Sequence, residues 1–463
     1  LYRNAYFPEI WTRALIMPLP KKGDLSRPEN YRGISLLPIF SKIFTHILKE
    51  KLLKWCDQEH KICKEQAGFR KNHSTVDNVF IVDTLIRKYL RKKGGRFYCA
   101  FIDFSKAFDS VDRNALWQKL LQNNISTCML KMLMNIYRSV GAVVMTNEGV
   151  SAPFECELGV KQGCILSPTL FSLFINDLPE ALNQVGINRI SLVASEINSL
   201  MFADDVIIFA ESPWGLQKEL DVLENYCHRW SLSVNVDKSK IMVFRNGGKL
   251  RNYEKWYYMG QEMSTCTYYP YLGVSFSSVH SWTYNQKIRA ERAGKALFSI
   301  KRLMSQFKVT DSNLAFRLFD TKIVPILHYG SEIWGFHEGK DVERVQLEFC
   351  KNVLRLHRNT PDVAVRGELG RVPLRVNRYM NIVCFWFRLL SLKPERLTNQ
   401  AYQLQLQGVD TNTECWALAL KRLLMSHGFG EAWYNQGVGC TKTFKSIFTV
   451  SYTHLRAHET RHY

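Results

Sequence analysis

LMFADDVIIF, residues 200–209, sets two adjacent carboxylates, Asp204 and Asp205, inside an otherwise apolar run. Apolar residues on both sides of a short polar break read as two strands joined by a tight hairpin, with the carboxylates at or beside the turn. An uncompensated carboxylate away from water is costly, so such a tip calls for a cation. The four residues FADD alone read better as a solvated hairpin tip. The surrounding sequence has to decide.

Working outward, RFYCAFIDF (96–104) is a near-continuous apolar run, the pattern of a strand buried on both faces, with Asp103 close to its end. Between the two carboxylate sites lie a helical stretch at 116–137 and a polar, glycine-bearing loop at 159–164. A helix then opens at Ser167-Pro168, where serine suits the N-cap and proline the first turn. Leu170, Phe171, Phe174, Ile175 and Leu178 form its apolar face. Upstream, 11–20 reads as a short strand stopped by proline. Residues 39–55 carry Ile43, Ile47, Leu48 and Leu52 at helical spacing, and 75–90 turn Val79, Val82, Leu85 and Ile86 inward. Downstream, 216–230 is helical, 234–244 a strand-like hairpin and 271–274 a short strand. Beyond Trp282 the pattern is all-helical, with Lys287, Arg289, Arg292, Lys295, Lys301 and Arg302 among apolar residues.

Carboxylates brought together from separate strands at one end of a sheet suit one chemistry well. In-line phosphoryl transfer with two magnesium ions about 3.5–4 Å apart needs hard oxygen ligands, typically one or two protein carboxylates plus phosphate oxygens and water. Composition points the same way. The chain of 463 residues carries 62 basic and 42 acidic residues, a net charge of +20, and the basic residues fall in runs. Such a surface meets a polyanion, nucleic acid first. With 46% hydrophobic and 13% aromatic residues the chain buries a sizeable core in two to four compact units. Its 12 cysteines form no C-x-x-C pair, which excludes a disulfide framework or clustered zinc site and suits a reduced compartment. No apolar run reaches spanning length and no secretory signal opens the chain, so the expectation is cytoplasm and nucleus with no membrane. The first residue is Leu1 rather than Met, which reads as a fragment. SYTHLRAHETRHY (451–463) reads as a non-native, adapter-derived tail.

The order of these segments resembles the reverse transcriptase of non-LTR (LINE-type) retrotransposons, over about 11–374. AFIDFSKAFDSVDR (100–113) resembles the first palm motif of that family, GVKQGCILSPTLFSLFINDL (159–178) the second and FADD (202–205) the third. PLPKKGD (18–24), NYRGISLL (30–37) and EQAGFR (65–70) resemble its fingers segments. VNVDKSKIMVF (234–244) and YLGV (271–274) resemble its fourth and fifth palm motifs. One departure is Gly33, where the family usually has proline after the arginine. HYGSEIWG (328–335) and GELGRVPL (367–374) resemble segments that follow the polymerase core; neither acquires a role from sequence.

The resemblance implies an α+β right-hand polymerase: fingers, an antiparallel palm sheet and a helical thumb, followed by a small helical C-terminal region. The expected divisions are 1–276 for fingers and palm, 277–340 for the thumb, 341–450 for a region of unknown role and 451–463 for the tail. The activity implied is RNA-directed DNA synthesis from a DNA 3′-hydroxyl, with deoxynucleoside triphosphates and two Mg2+ ions, Mn2+ being a possible substitute. Partners are then an RNA template and a DNA primer or nicked target DNA. Asp103, Asp204 and Asp205 would be the metal-binding, catalytic aspartates. Lys238 would protonate the leaving pyrophosphate. Lys21, Lys22 and Arg32 would meet the triphosphate; for the lysines, solvated surface charge is an equal alternative. Phe108 would exclude a 2′-hydroxyl, and Gln162 and Gly163 would shape the nucleotide pocket. Tyr271, Gly273, Lys287, Arg292 and Lys295 would contact nucleic acid. Full elements usually carry an endonuclease, expected to lie upstream of Leu1. Two alternatives stay open: another templated polymerase, such as an RNA-dependent RNA polymerase or intron maturase, and a catalytically silent RNA-binding relic.

Overall fold

Arg96–Asp103 lies inside a four-stranded antiparallel sheet, in the order Lys240–Arg245, Arg96–Asp103, Asp205–Ala210, Ser199–Phe202. The computed structural model describes residues 2, 4–21, 23–138, 141–184, 186, 190–309 and 311–459; Lys22 lies outside them, as does the end of the tail. Successive strand residues alternate between two apolar cores. Phe97, Cys99, Phe101, Ile207, Phe209, Met242 and Phe244 face one, and Tyr98, Ala100, Ile102, Val206, Ile208, Ile241 and Val243 face the other. The continuous apolar run thus follows from burial on both faces, each Phe, Ile, Val or Met side chain contributing about 1.5–3 kcal/mol.

One face of this palm sheet carries the helices Arg113–Gln122, Ser167–Phe174 and Pro213–Arg229. The other carries Thr75–Leu90, the long helix Thr283–Gln306 and the helices beyond 340, in one core that runs without a break from Val79 to Phe448. The C-terminal helices dock on the back of Thr75–Leu90. Arg388 there donates to both oxygens of buried Asp77 at 2.6 Å, and Gln405 donates to Thr84 Oγ1 at 2.6 Å. A second sheet joins Tyr31–Leu36 antiparallel to Ala14–Pro20, which pairs in parallel with Gly141–Thr146. The architecture is the expected α+β right hand. Among the described residues no helix is long and apolar enough to cross a membrane, and all 12 cysteines are free thiols.

Several local expectations change. The stretch 116–137 is two helices, Arg113–Gln122 and Thr127–Tyr137, broken where Asn124 adopts a φ of +61°. Ser167 is not an N-cap but the first helical residue; it is buried, and its hydroxyl donates to the Lys161 carbonyl at 2.8 Å. That helix ends at Phe174, so Leu178 opens the next one. In Ile39–Gln58 the buried stripe is Ser41, Thr45, Leu48, Leu52 and Cys56, while Ile43 and Ile47 face solvent. Of 234–244, only Lys240–Arg245 is a strand; Val234 makes a lone bridge to Phe104. The helix Thr441–Glu459 runs across the expected boundary at 450.

Glu219, in the helix behind the palm sheet, is 1% exposed, and among the described residues its Oε2 has no hydrogen-bond partner. Burial raises its pKa to about 9, so the folded protein holds the carboxyl neutral where the unfolded chain has released the proton. This contribution to stability is full below the ordinary carboxylate range and is lost as pH rises toward 9. Glu219→Gln removes that dependence. The melting-temperature advantage of the variant over the parent is expected to widen from pH 5 to pH 8; a difference independent of pH contradicts the assignment.

Candidate active site

Register fixes the centre of the site. Asp103 and Asp205 are direct partners across adjacent antiparallel strands, so their side chains leave the same face with Cβ atoms roughly 5 Å apart. Asp204 follows Ala203 in the two-residue turn that joins Phe202 to Asp205. Ala203 has a φ of +58°, a left-handed conformation that an alanine holds only when its surroundings enforce it. EQAGFR supplies the enforcement. Its chain runs beside the hairpin, with Ala67 N–H donating to Met201 O and Met201 N–H to Glu65 O, both at 2.9 Å. The fully buried Gln66 accepts from Ala203 N–H at 3.0 Å and from Gly68 N–H at 2.8 Å through one oxygen. Arg70 ties the loop down by donating to the Cys63 and Gln66 carbonyls at 2.9 and 3.1 Å.

Like charges set directly opposite destabilise a sheet. Loss of hydration, then the charge of Asp204 and of Asp103, pushes Asp205 up to about 6, although its side chain still reaches solvent. Loss of hydration, reinforced by Asp103, also raises Asp204, against the pull of Arg32. The Lys238 ammonium stands 3.9 Å from Asp103 Oδ2. The loop carrying Lys238 is moored to the strand end: Ser239 Oγ accepts from Asp103 N–H at 3.0 Å, and Asn235 N–H donates to Asp103 O at 2.8 Å.

Asp103 and Asp204 line a cleft of ≈ 800 Å³ together with Lys21, Arg32, Phe108, Gln162 and Lys238. Arg32 comes from Tyr31–Leu36, whose strand is intact at Gly33; a Cβ there would stand 3.0 Å from Ile16 Cγ2. Phe108 is half-buried and stacks on Phe171 at 4.9 Å between centroids. The loop bearing Gln162 is pinned from both sides: Gln162 O accepts from Ser35 N–H at 2.7 Å, and Val160 N–H donates to Phe108 O at 2.8 Å. Gly163 has a φ of +114°, and a Cβ on it would lie 2.6 Å from Ser35 O, so the crossing requires glycine. A second cavity of ≈ 800 Å³ among the C-terminal helices shares no lining residue with the cleft. Several of its charges are paired internally, as Lys351–Asp362 and Arg366–Glu343 are at 2.8 and 3.0 Å.

Not every expected residue joins the cleft. Asp205 sits beside it rather than in its lining. Tyr271 is 3% exposed, its hydroxyl accepting from Asn78 Nδ2 at 3.3 Å, so its ring belongs to the core and the half-buried turn Leu272–Gly273 is what it leaves accessible. Lys287, Arg292 and Lys295 are exposed on Thr283–Gln306, within an arc of roughly 140° at 100° per residue. Asp109 and Asn235 also line the cleft, and Gln66 clamps the turn; none of the three had an assigned role. EQAGFR was the available signal for Gln66, since a Gln and a Gly two apart in a loop mark a backbone contact only once the partner is known.

The donor set fits magnesium: three hard carboxylates, two of them in direct register, whose mutual repulsion a cation relieves. Among the described residues no three His, Cys, Asp or Glu side chains are gathered tightly enough to hold a metal by themselves. Ligation there needs the phosphate oxygens and water that magnesium ordinarily retains.

Residues 19–276 match the family described as reverse transcriptase (RNA-dependent DNA polymerase). The probable RNA-directed DNA polymerase from transposon BS of Drosophila melanogaster is 26% identical over 86% of this chain and 45% of its own length. The RNA-directed DNA polymerase from the mobile element jockey, of the same fly, is 22% identical over 91% and 46%. The Pol polyprotein from the type-2 retrotransposable element R2DM is 30% identical over 48% and 20%. The chain thus spans less than half the length of these curated relatives.

Proposed function

From the premise that this chain belongs to the reverse transcriptase family, we propose that it extends a DNA 3′-hydroxyl on an RNA template, as the polymerase of a non-LTR retrotransposon. The observation that carries this reading is the direct pairing of Asp103 with Asp205, beside Asp204 at a turn that opens on a cleft lined by Lys21, Arg32 and Phe108. Bound Mg2+, or Mn2+ in its place, supplies charge neutralisation at the attacking and leaving oxygens. Asp103 and Asp205 would hold it from opposite strands and Asp204 from the turn. Arg32 offers the triphosphate a planar fork of donors, and Lys21 a point charge. Gln162, in the lining, would form the wall against which the incoming base settles, and Gly163, outside the lining, would let its loop cross Ser35 closely. Lys238, already beside Asp103, would hand a proton to the departing pyrophosphate. Lys287, Arg292 and Lys295, on the helix expected to act as thumb, would follow the phosphates of the primer–template duplex.

The Phe108 ring is held by Phe171 on one side and the cleft on the other, where it would strike a ribose 2′-hydroxyl. Phe108→Ala is expected to raise ribonucleotide incorporation relative to deoxyribonucleotide by about tenfold or more. Steady-state incorporation of paired deoxy and ribo substrates measures this; an unchanged ratio removes Phe108 as the source of sugar selectivity.

A further inference from the structure

HYGSEIWG lies outside the cleft, and its tyrosine touches the turn expected to meet nucleic acid. Tyr271 and Val274 pair directly, and the two residues between them, Leu272 and Gly273, have φ values of +45° and +84°, a hairpin turn with both central residues left-handed. Tyr329 Oη donates to the Leu272 carbonyl at 3.0 Å. Its one proton being used there, it accepts from Thr75 Oγ1, also at 3.0 Å. The ring lies directly under Gly273: a Cβ on that residue would stand 2.9 Å from Tyr329 Cε1. On the ring's own other contact, the Arg289 guanidinium sits 4.8 Å from the centroid. Arg289 is 5% exposed, and among the described residues its Nε and Nη2 have no hydrogen-bond partner, so the aromatic ring is a substantial part of what receives its charge.

Tyr329 is fixed in turn from behind. Its carbonyl accepts from Trp334 Nε1 at 3.1 Å. Gly330 is pressed so closely to the Val274 strand that a Cβ would lie 2.6 Å from Val274 Cγ2. Asn381 donates to Ser331 Oγ at 2.9 Å, and Trp416 Nε1 to the Glu332 carbonyl at 2.7 Å. Helices of the C-terminal region therefore brace this segment, and the segment braces the turn.

We propose that Tyr329 is a positioning residue that sets the Leu272–Gly273 turn against the primer–template, with Arg289 and the C-terminal helices holding Tyr329 in place. This gives the C-terminal region a part in nucleic-acid binding without a contact of its own. It rests on the reading that the turn meets nucleic acid, and the test separates the two. In primer extension by the whole chain, Tyr329→Phe, which keeps the ring and loses only the hydroxyl, is expected to raise KM for primer–template about three- to tenfold, and Tyr329→Ala more, with kcat and the deoxynucleotide KM within about twofold. A primer carrying a photoreactive base near its 3′ end is expected to crosslink to the peptide containing residues 272–273 in the parent, and less in both variants. Unchanged primer–template KM and crosslinking in both variants overturn the role of Tyr329 while leaving the turn's contact standing. Loss of kcat in step with a lowered melting temperature overturns it also, by reducing Tyr329 to a packing residue. Absence of the crosslink in the parent overturns the contact and the proposal together.

Discussion

Asp204→Asn is expected to lower RNA-templated DNA synthesis by about 10³-fold or more, which is about 4 kcal/mol of transition-state stabilisation, within the several that metal-ion charge neutralisation supplies. The substitution keeps the size of the side chain and its place in the turn. It removes a negative charge that is already crowded: loss of hydration and Asp103 both raise Asp204. Asparagine therefore relieves repulsion and should hold or raise the melting temperature while it removes a ligand. A loss of activity with no loss of stability is the signature, since a structural residue would lose both. The measurement is single-turnover extension of a DNA primer on RNA alongside thermal unfolding of both proteins. Extension within about tenfold of the parent would move the catalytic centre away from this hairpin.

Gly68→Ala is expected to cost about 10²-fold in extension without touching any group in the cleft, the penalty of displacing reacting groups by about 1 Å. A Cβ at residue 68 would stand 2.2 Å from the Ala203 backbone nitrogen and 2.9 Å from the Phe202 carbonyl carbon. Neither is the end of a flexible side chain, so the backbone has to move, and the backbone in question carries Asp204. Gln66, which accepts from both Gly68 and Ala203 through the same oxygen, moves with it. Duplex binding, measured by filter retention or fluorescence anisotropy, should change little, because Lys287, Arg292 and Lys295 are carried by a separate element, the helix Thr283–Gln306. Parent-like extension by a folded Gly68→Ala protein would mean that the turn tolerates displacement.

What could be read in advance follows from how local each cause is. The two strands carrying Asp103 and Asp205–Ala210 are each buried on both faces, and burial on both faces leaves a continuous apolar run, so their positions were legible. Their register was not: that Asp103 faces Asp205 rather than Asp204 depends on a turn of two residues, 203–204, with Ala203 in a conformation that glycine or asparagine would ordinarily signal. Tyr271 was expected at the nucleic acid because YLGV resembles the fifth palm motif; period-2 alternation instead turns its ring into the core, as Phe101 stacks on Tyr269 at 4.2 Å and approaches Tyr271 at 5.6 Å. Arg289 shares the charge and spacing of the exposed basic residues around it, yet it is buried, with its guanidinium over the ring of Tyr329 forty residues later. Contacts made across such separations leave no local pattern.

The most direct measurement is extension of a DNA primer annealed to an RNA template, with magnesium and the four deoxynucleoside triphosphates, by the purified chain. Extension to the template end, with ribonucleoside triphosphates failing to substitute, is the expected result. A folded chain that binds the duplex and adds no nucleotide would contradict the assignment of this protein as an RNA-directed DNA polymerase.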